Sequence, residues 1–447
     1  MEKYNASIQS KAHVLSLKFF ALLLVMCTGF SEACAHRSVI EVTAGNIDPI
    51  PLAVPTFEYE SEEEKSYAMA LVGIVNNDLK NSNLFKIANP KAYIQTTDSL
   101  HKDGPRFGDW RLINVHAVVA ARVFLEKKNI RVQMRLWDVV ANKQITSTVV
   151  TAPRDLWRRA GHRVADKIYE AMIGDTGYFD SRIVYVAETS RNSKRTKRLA
   201  VMDQDGQNHQ FLSDGRDLVI TPRLSPDANE LVYMAYDSDH ARVYHHSLKT
   251  GKGQSLGKFP GMTFAPRFSP DGKNVIFSQS TNGISSIYTI NLKSQQTTRL
   301  TSTRALDVSP CYSPDGKKVV FNSDRGGAPQ LYVMDKDGKN VKRLSFNRGS
   351  YSTPVWSPRG DYIAYSRTFD RKFYIGVMRP DGTGDRILAS GYLVESPTWS
   401  PNGRLITFTR EEKSGKTRLC TIDLTGHHER ELKTPQDASD PAWSNLL

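Results

Sequence analysis

The sequence contains no apolar run long enough to cross a bilayer as a helix. Its longest, residues 19–30 (FFALLLVMCTGF), is twelve residues, where a spanning helix needs about twenty. Cysteine is scarce, with four in 447 residues, which excludes a disulfide scaffold. Nor is the composition extreme in any direction: 39% hydrophobic and 24% charged residues exclude a disordered chain and a multispanning membrane protein.

The short apolar run does fit the h-region of a secretory signal. Lys11 and Lys18 precede it, and Ala33, Cys34 and Ala35 follow as a small-x-small cleavage pattern, placing the mature start at His36. An uncleaved anchor would need a longer run, and a lipoprotein reading of Cys34 is disfavoured by Ser31 and Glu32. Residues 1–35 are therefore expected to be removed. Cleavage leaves Cys311 and Cys420, at different offsets within their repeats, and no bridge is expected between them. The net charge of +13 suggests acidic partners. Export disfavours nucleic acid and leaves membrane headgroups or acidic proteins.

The second half of the chain repeats itself. Aligned on a serine that opens SPDG or a variant of it, the chain gives Ser225, Ser269, Ser313, Ser357, Ser400 and Ser444, at intervals of 44, 44, 44, 43 and 44 residues. So constant a period marks an array. Pro222, Pro266, Pro310, Pro354, Pro397 and Pro441 each stand three residues before the serine, read as the start of a strand, where a missing N–H costs least. Asp271 with Gly272, Asp315 with Gly316 and Asp337 with Gly338 supply hairpin turns. Four short strands per unit at this period describe a propeller blade.

The array is cut inside one blade. IVYVA at 183–187 and RLAVMDQDG at 198–206 match later strands of the repeat without an SPDG strand before them, while PAWS at 441–444 matches only a first strand. Five complete units and one split unit predict a six-bladed β-propeller over residues 180–447, closed by the last strand.

Residues 47–177 read as a small α+β domain. Ser61 and Glu64 form a capping box ahead of a helix with Tyr67, Leu71, Val75 and Leu79 on one face. The polar segment 98–109 reads as a loop, 117–124 as a buried strand, and 132–136 with 145–150 as a hairpin in a mostly antiparallel sheet. Pro153 suits the first turn of a helix striped by Trp157, Ala160, Val164, Ile168 and Met172. His162 and Arg158, Arg159 and Arg163 lie off that stripe and read as a solvated charged face.

The leader, the domain containing WRRAGHRVADKIYE, the SPDGKKVVF-style repeats and the terminal PAWSNLL together resemble the TolB family of the Tol-Pal system across essentially the whole mature chain. Ala228, Arg359 and Asn402 depart from SPDG with turn-compatible residues. The resemblance implies a non-enzymatic periplasmic binding protein, expected to be monomeric and without cofactor, linking inner-membrane TolA to the outer-membrane lipoprotein Pal. It further implies support of outer-membrane integrity and invagination at division, with other outer-membrane or peptidoglycan-associated proteins as further partners. Matching the family's N-terminal segment makes residues 36–46 a mobile TolA-binding stretch, with His36, Arg37, Ser38, Val39, Ile40, Glu41 and Val42 as candidates; an ordinary first strand is the alternative. Pal is expected on the loops that enter the innermost strands, at Met262, Thr263, Phe264, Ala265, Asp307, Val308 and Ser309. Met262 replaces the imidazole of better-known members.

The alternative is an exported propeller enzyme or ligand sensor. Residues 253–257 spell GxSxG around Ser255, but the aligned TTRLT of the next repeat is an outer strand, and no hydrolase-sized domain is left over. His245 and His246 are strand neighbours that point to opposite faces, with no third metal ligand. DQDG at 203–206 lacks a calcium loop's closing glutamate and reads as a turn. The RNSKRTKR run at 191–198 aligns with a hairpin loop and reads as solvated. An ion in the central channel has no sequence signature.

Overall fold

The computed structural model describes residues 48–447 apart from 192–193 and 238–239. The N-terminal domain is built on a five-stranded sheet, β1 (Ile50–Ala53), β2 (Phe85–Ile87), β3 (Ala117–Leu125), β4 (Asn129–Asp138) and β5 (Lys143–Pro153), in the order β2-β1-β3-β4-β5. The sheet is mixed: β1 runs parallel to β2 and β3, while β3, β4 and β5 form an antiparallel meander. It is thus less antiparallel than the sequence suggested, because β1 and β2 enter through helical crossovers.

Helix α1 (Glu62–Asn81) starts as expected, with Ser61 Oγ accepting from the Glu64 N–H at 3.2 Å, a cap that stabilises by about 1 kcal/mol. The segment read as a loop instead forms α2 (Thr97–Asp103) and α3 (Phe107–Leu112). Buried Gln95 organises it, donating to the Gly104 carbonyl at 2.8 Å and accepting from the Arg106 N–H and Trp110 Nε1 at 2.9 Å each. A polar segment whose backbone is satisfied by one buried amide leaves no hydrophobic periodicity to read. Helix α4 (Arg158–Ile173) ends at Gly174 in the left-handed conformation, φ 80°. Pro153 closes β5 and stands just outside the short 3-10 turn that precedes α4.

The propeller has six four-stranded sheets. Its innermost strands are Val219–Leu224, Met262–Phe268, Asp307–Tyr312, Ser350–Trp356, Leu393–Trp399 and Asp437–Trp443; these head blades one to six. Blade six is the split one: Asp437–Trp443 pairs antiparallel with Arg182–Arg191, so the final strand closes the ring.

The prolines do not start these strands. In each blade the pairing of the first two strands breaks at the proline and the residue before it, as between Phe264 and Arg267 or Val308 and Cys311. That preceding residue has positive φ every time: Thr221 50°, Ala265 51°, Ser309 54°, Thr353 46°, Ser396 55° and Asp440 50°. Each proline therefore occupies a β-bulge inside the strand, where the ladder is already interrupted and its missing N–H leaves no acceptor unserved.

SPDG itself is turn chemistry. Ser269 and Ser313 donate to Asp271 at 2.5 Å and Asp315 at 2.6 Å, and accept from the N–H five residues on at 3.0 Å and 2.9 Å. Gly272 and Gly316 both take φ 69°, and Ala228 takes φ 55° in the aligned place. Cys311 and Cys420 are buried free thiols.

The two domains share a hydrophobic core. Leu71, Val75, Val164 and Ile168 of α1 and α4 continue through Tyr169, Tyr178 and Phe179 to Trp443 and Leu432 of the propeller. Leu100, Trp110 and Val118 make a separate core on the other side of the sheet.

Candidate functional site

Antiparallel pairing puts two kinds of connection at opposite ends of the blades. The SPDG turns and the turns between third and fourth strands lie at one end. The connections between second and third strands, and those entering each innermost strand, lie at the other, which forms the mouth.

The N-terminal domain docks on the SPDG end. Asp175 accepts from Arg404 Nε at 2.7 Å and Arg359 at 2.9 Å, while Asn402 donates to the Thr176 carbonyl at 2.9 Å. Arg359 and Asn402 are two of the departures from SPDG, and both serve this joint. Beside them, Arg158 of α4 reaches Asp203 at 2.8 Å and Asp205 at 2.6 Å, and Arg159 grips both oxygens of Asp180 at 2.9 and 2.8 Å.

His162 is 2% exposed. Its Nδ1 is 2.6 Å from Asp78 Oδ2 on α1, its Nε2 is 3.8 Å from Asp203, and Gln204 donates to the other Asp78 oxygen at 2.7 Å. The solvated-face reading is overturned for His162, Arg158 and Arg159, and survives only for Arg163, which is exposed. These residues lie off the helix's own apolar stripe because a second partner, the propeller, covers that flank. The DQDG segment is a turn as expected, but its carboxylates are the propeller's half of the joint.

Burial drives the imidazole toward its neutral form, yet the charge of Asp78, the nearby Asp203 carboxylate and the hydrogen bond to Asp78 outweigh this and raise His162 to about 10. Asp203 is likewise held below its ordinary value, burial being outweighed by His162 and Arg158. His162, Asp203 and Asp205 approach closely enough to share a cation, but Arg158 already bridges both carboxylates, and His162, raised to about 10, adds a second positive charge in place of a metal ligand. The cluster is a joint between domains.

At the mouth, Met262 is exposed and Thr263 is buried, its hydroxyl accepting from the Val243 N–H at 2.9 Å. Phe264, Ala265, Val308 and Ser309 are half-buried, and the Ser309 N–H donates to Ser278 at 3.2 Å. Asp307 is fully buried, accepting from Arg325 at 2.8 Å and Thr303 at 2.9 Å; its place is beneath the surface, fixing the Arg325 loop. Met262 and Val308 thus lie on adjacent blades, with Thr263 and Asp307 supporting them from below. The connection before Met262 is held by Arg242, which donates to the carbonyls of Phe259 and Gly261, and by Gln279, which donates to Pro260 at 2.9 Å.

Beyond Met262, sequence reasoning missed the apolar rim of this end. Leu218, Tyr236, Leu306, Phe346, Phe369 and Tyr392 are further exposed large hydrophobic side chains, all at or beside second-to-third or blade-entry connections. The available signal was an apolar residue in an otherwise polar connection. Candidates His36, Arg37, Ser38, Val39, Ile40, Glu41 and Val42 lie outside the described residues.

Ser255 sits on the outermost strand of blade one, Gly253–Ser255, with its hydroxyl 3.2 Å from the Gly257 carbonyl. No strand-to-helix elbow surrounds it. In the basic run, Arg195 and Lys197 pair with buried Glu188 at 2.7 and 2.9 Å, so part of that run is structural.

Residues 169–447 match the TolB β-propeller domain family, and residues 38–145 match the TolB amino-terminal domain family. The chain belongs to the TolB family. It is 55% identical over 443 residues to the Tol-Pal system protein TolB of Paramagnetospirillum magneticum, covering 98% of this chain and 99% of the relative. With the TolB of Rickettsia bellii it shares 52% identity over 433 residues, 94% of this chain and 97% of the relative. The crystal structure of TolB from Acinetobacter baumannii superposes with a TM-score of 0.80 at 28% identity, covering 90% of this chain and 98% of that one. As a TolB family member the chain is a non-enzymatic component of the Tol-Pal system, and its family implies Tol-Pal partners. Among the described residues no helix is long and apolar enough to cross a membrane.

Proposed function

We propose that this chain acts in the periplasm as the link between TolA and Pal, with Pal seated on the propeller mouth and TolA bound by residues 36–46. Met262, Phe264, Ala265, Val308 and Ser309 supply the contact surface for Pal, while Thr263 and Asp307 hold its backbone in place. The observation that carries the reading is the rim of exposed apolar side chains at the end of the propeller opposite the N-terminal domain. Exposed apolar residues rimmed by polar ones favour protein association. Positive-φ bulges at Ala265 and Ser309 preorganise the entry strands, which lowers the ordering cost of binding.

On this proposal His36, Arg37, Ser38, Val39, Ile40, Glu41 and Val42 supply the TolA contact, and the SVIEV sequence at its core suits addition to a partner's sheet edge. The reading is tested by capture of soluble cognate Pal on the immobilised mature protein. Retention at micromolar concentration is expected, and its absence would sink the proposal.

A further inference from the structure

The central channel ends, on the SPDG side, in a chamber of about 400 Å³ walled by the last residues of all six innermost strands. The residue following each repeat proline lines it: Arg223, Arg267, Cys311, Val355, Thr398 and Ala442. Two arginines therefore stand on adjacent blades at the same depth of one chamber, with a thiol, a hydroxyl and apolar groups completing the ring.

Among the described residues no carboxylate lies within ion-pair distance of either guanidinium, whereas Arg325, on the mouth side, is paired with Asp307. Arg223 engages only its neighbour's carbonyl, Pro222 O, at 2.6 Å, and Arg267 donates side-chain hydrogen bonds to no described residue. Asp440, whose charge acts on Arg223 from a distance, is engaged instead by the Ser396 hydroxyl at 2.8 Å and the Thr221 N–H at 3.3 Å. Burial, reinforced by the Arg267 charge, pushes Arg223 down to about 9; a guanidinium nonetheless stays charged at neutral pH.

Two like charges without an ion-pair partner in one chamber are costly, and the cost falls when an anion enters between them. Each guanidinium still has donors free in a planar fork, the arrangement that accepts two oxygens of one phosphate or carboxylate. Their joint charge matches a tetrahedral oxyanion better than a single carboxylate. The chamber is wide enough for such an ion with part of its water shell, and its lining by Pro226, Pro270, Pro314 and Asn445 beyond the innermost strands places its opening at the SPDG end, beside the joint at Arg359 and Asn402.

We infer that the SPDG-side chamber of the propeller is a binding site for a small tetrahedral oxyanion of the phosphate class, held between the guanidinium groups of Arg223 and Arg267. This site is separate from the mouth and independent of the proposal for Pal.

The test titrates the full mature protein with inorganic phosphate, against sodium chloride at matched ionic strength, by calorimetry and by melting temperature. Saturable binding near one ion per chain is expected, with a phosphate-dependent rise in Tm. Arg267→Gln should weaken binding at least about tenfold, the loss of a bidentate charged contact, and Arg267→Lys should fall between the two. Lys317→Gln, on an exposed SPDG turn, should bind as the parent does. Phosphate binding that is equally strong in Arg267→Gln would mark an adventitious ion only and overturn the assignment. If that variant does not fold, the parent still decides: no Tm rise and no saturable heat with phosphate would overturn it as well.

Discussion

His162 Nδ1 stands 2.6 Å from Asp78 Oδ2, with both side chains sealed from solvent between α1, α4 and the propeller. Around them Asp203 and Gln204 come from the propeller and Arg158 from α4. The pair therefore ties the two helices of one domain together at the point where a second domain presses on both.

The joint should be sensitive to alkali. His162 has its folded value raised to about 10, so its contribution is fully present below the unfolded value near 6.5 and is lost as pH rises through about 10. Asp203 is shifted down, so its share is present above the ordinary carboxylate range and is lost only as acid takes the pH below it. Urea unfolding of the parent and of His162→Gln at pH 6, 8 and 10 is the check. The gap between them should be about 3–5 kcal/mol at pH 6 and shrink toward pH 10. A gap independent of pH would refute the charged histidine.

What the sequence made legible followed from periodicity. The serine interval, the proline three residues earlier and the unmatched PAWS at 441–444 were enough for six blades and for closure by the final strand. What it concealed depended on contacts between segments far apart in the chain. Nothing local to α4 tells that Arg158 meets Asp203, or that Arg359 and Asn402 leave SPDG in order to receive Asp175 and Thr176. Likewise Asp307, read as a contact residue, is buried by Arg325 from the next hairpin. The bulge at each proline was hidden for another reason: hydrophobic alternation continues on both sides of it, so only the backbone reveals the break.

Closure of the ring should rest on Trp443. It is 8% exposed, its indole N–H donates to Ser181 at 2.8 Å, and its ring meets Tyr178 edge-on at 5.9 Å. Trp443→Ala removes packing between the last strand, the interdomain segment and the shared core, a loss of about 3–5 kcal/mol. A melt followed by tryptophan-independent far-UV signal should show a Tm lower by several degrees. An unchanged Tm would mean that the last strand is dispensable.

The joint also constrains backbone shape. A Cβ on Gly177 would stand 2.1 Å from Asp166 Oδ1 and 2.7 Å from its Cα, and Asp166 is already fixed by the N–H groups of Phe179 and Asp180 at 2.8 and 3.0 Å. Gly177→Ala must therefore displace the segment that carries Phe179 into the shared core. Limited proteolysis should cut the variant between the domains under conditions that leave the parent intact, while Gly108→Ala, at an exposed position with open space around it, should not become protease-sensitive there.

The last expectation concerns the mouth. Met262 is exposed on a connection held by Arg242 and Gln279 from beneath, so its side chain can change without disturbing the fold. Met262→Asp places a charge at the centre of the proposed contact, where it must be desolvated without a partner on binding. Affinity for soluble Pal, measured by calorimetry, should fall at least about tenfold, with Tm unchanged. Phe346→Ser, at another connection of the same end, distinguishes a local contact from a broad one: a comparable loss would extend the surface to blade four, whereas parental affinity would confine it to blades two and three. If Met262→Asp binds Pal as tightly as the parent does, the contact lies elsewhere on the propeller.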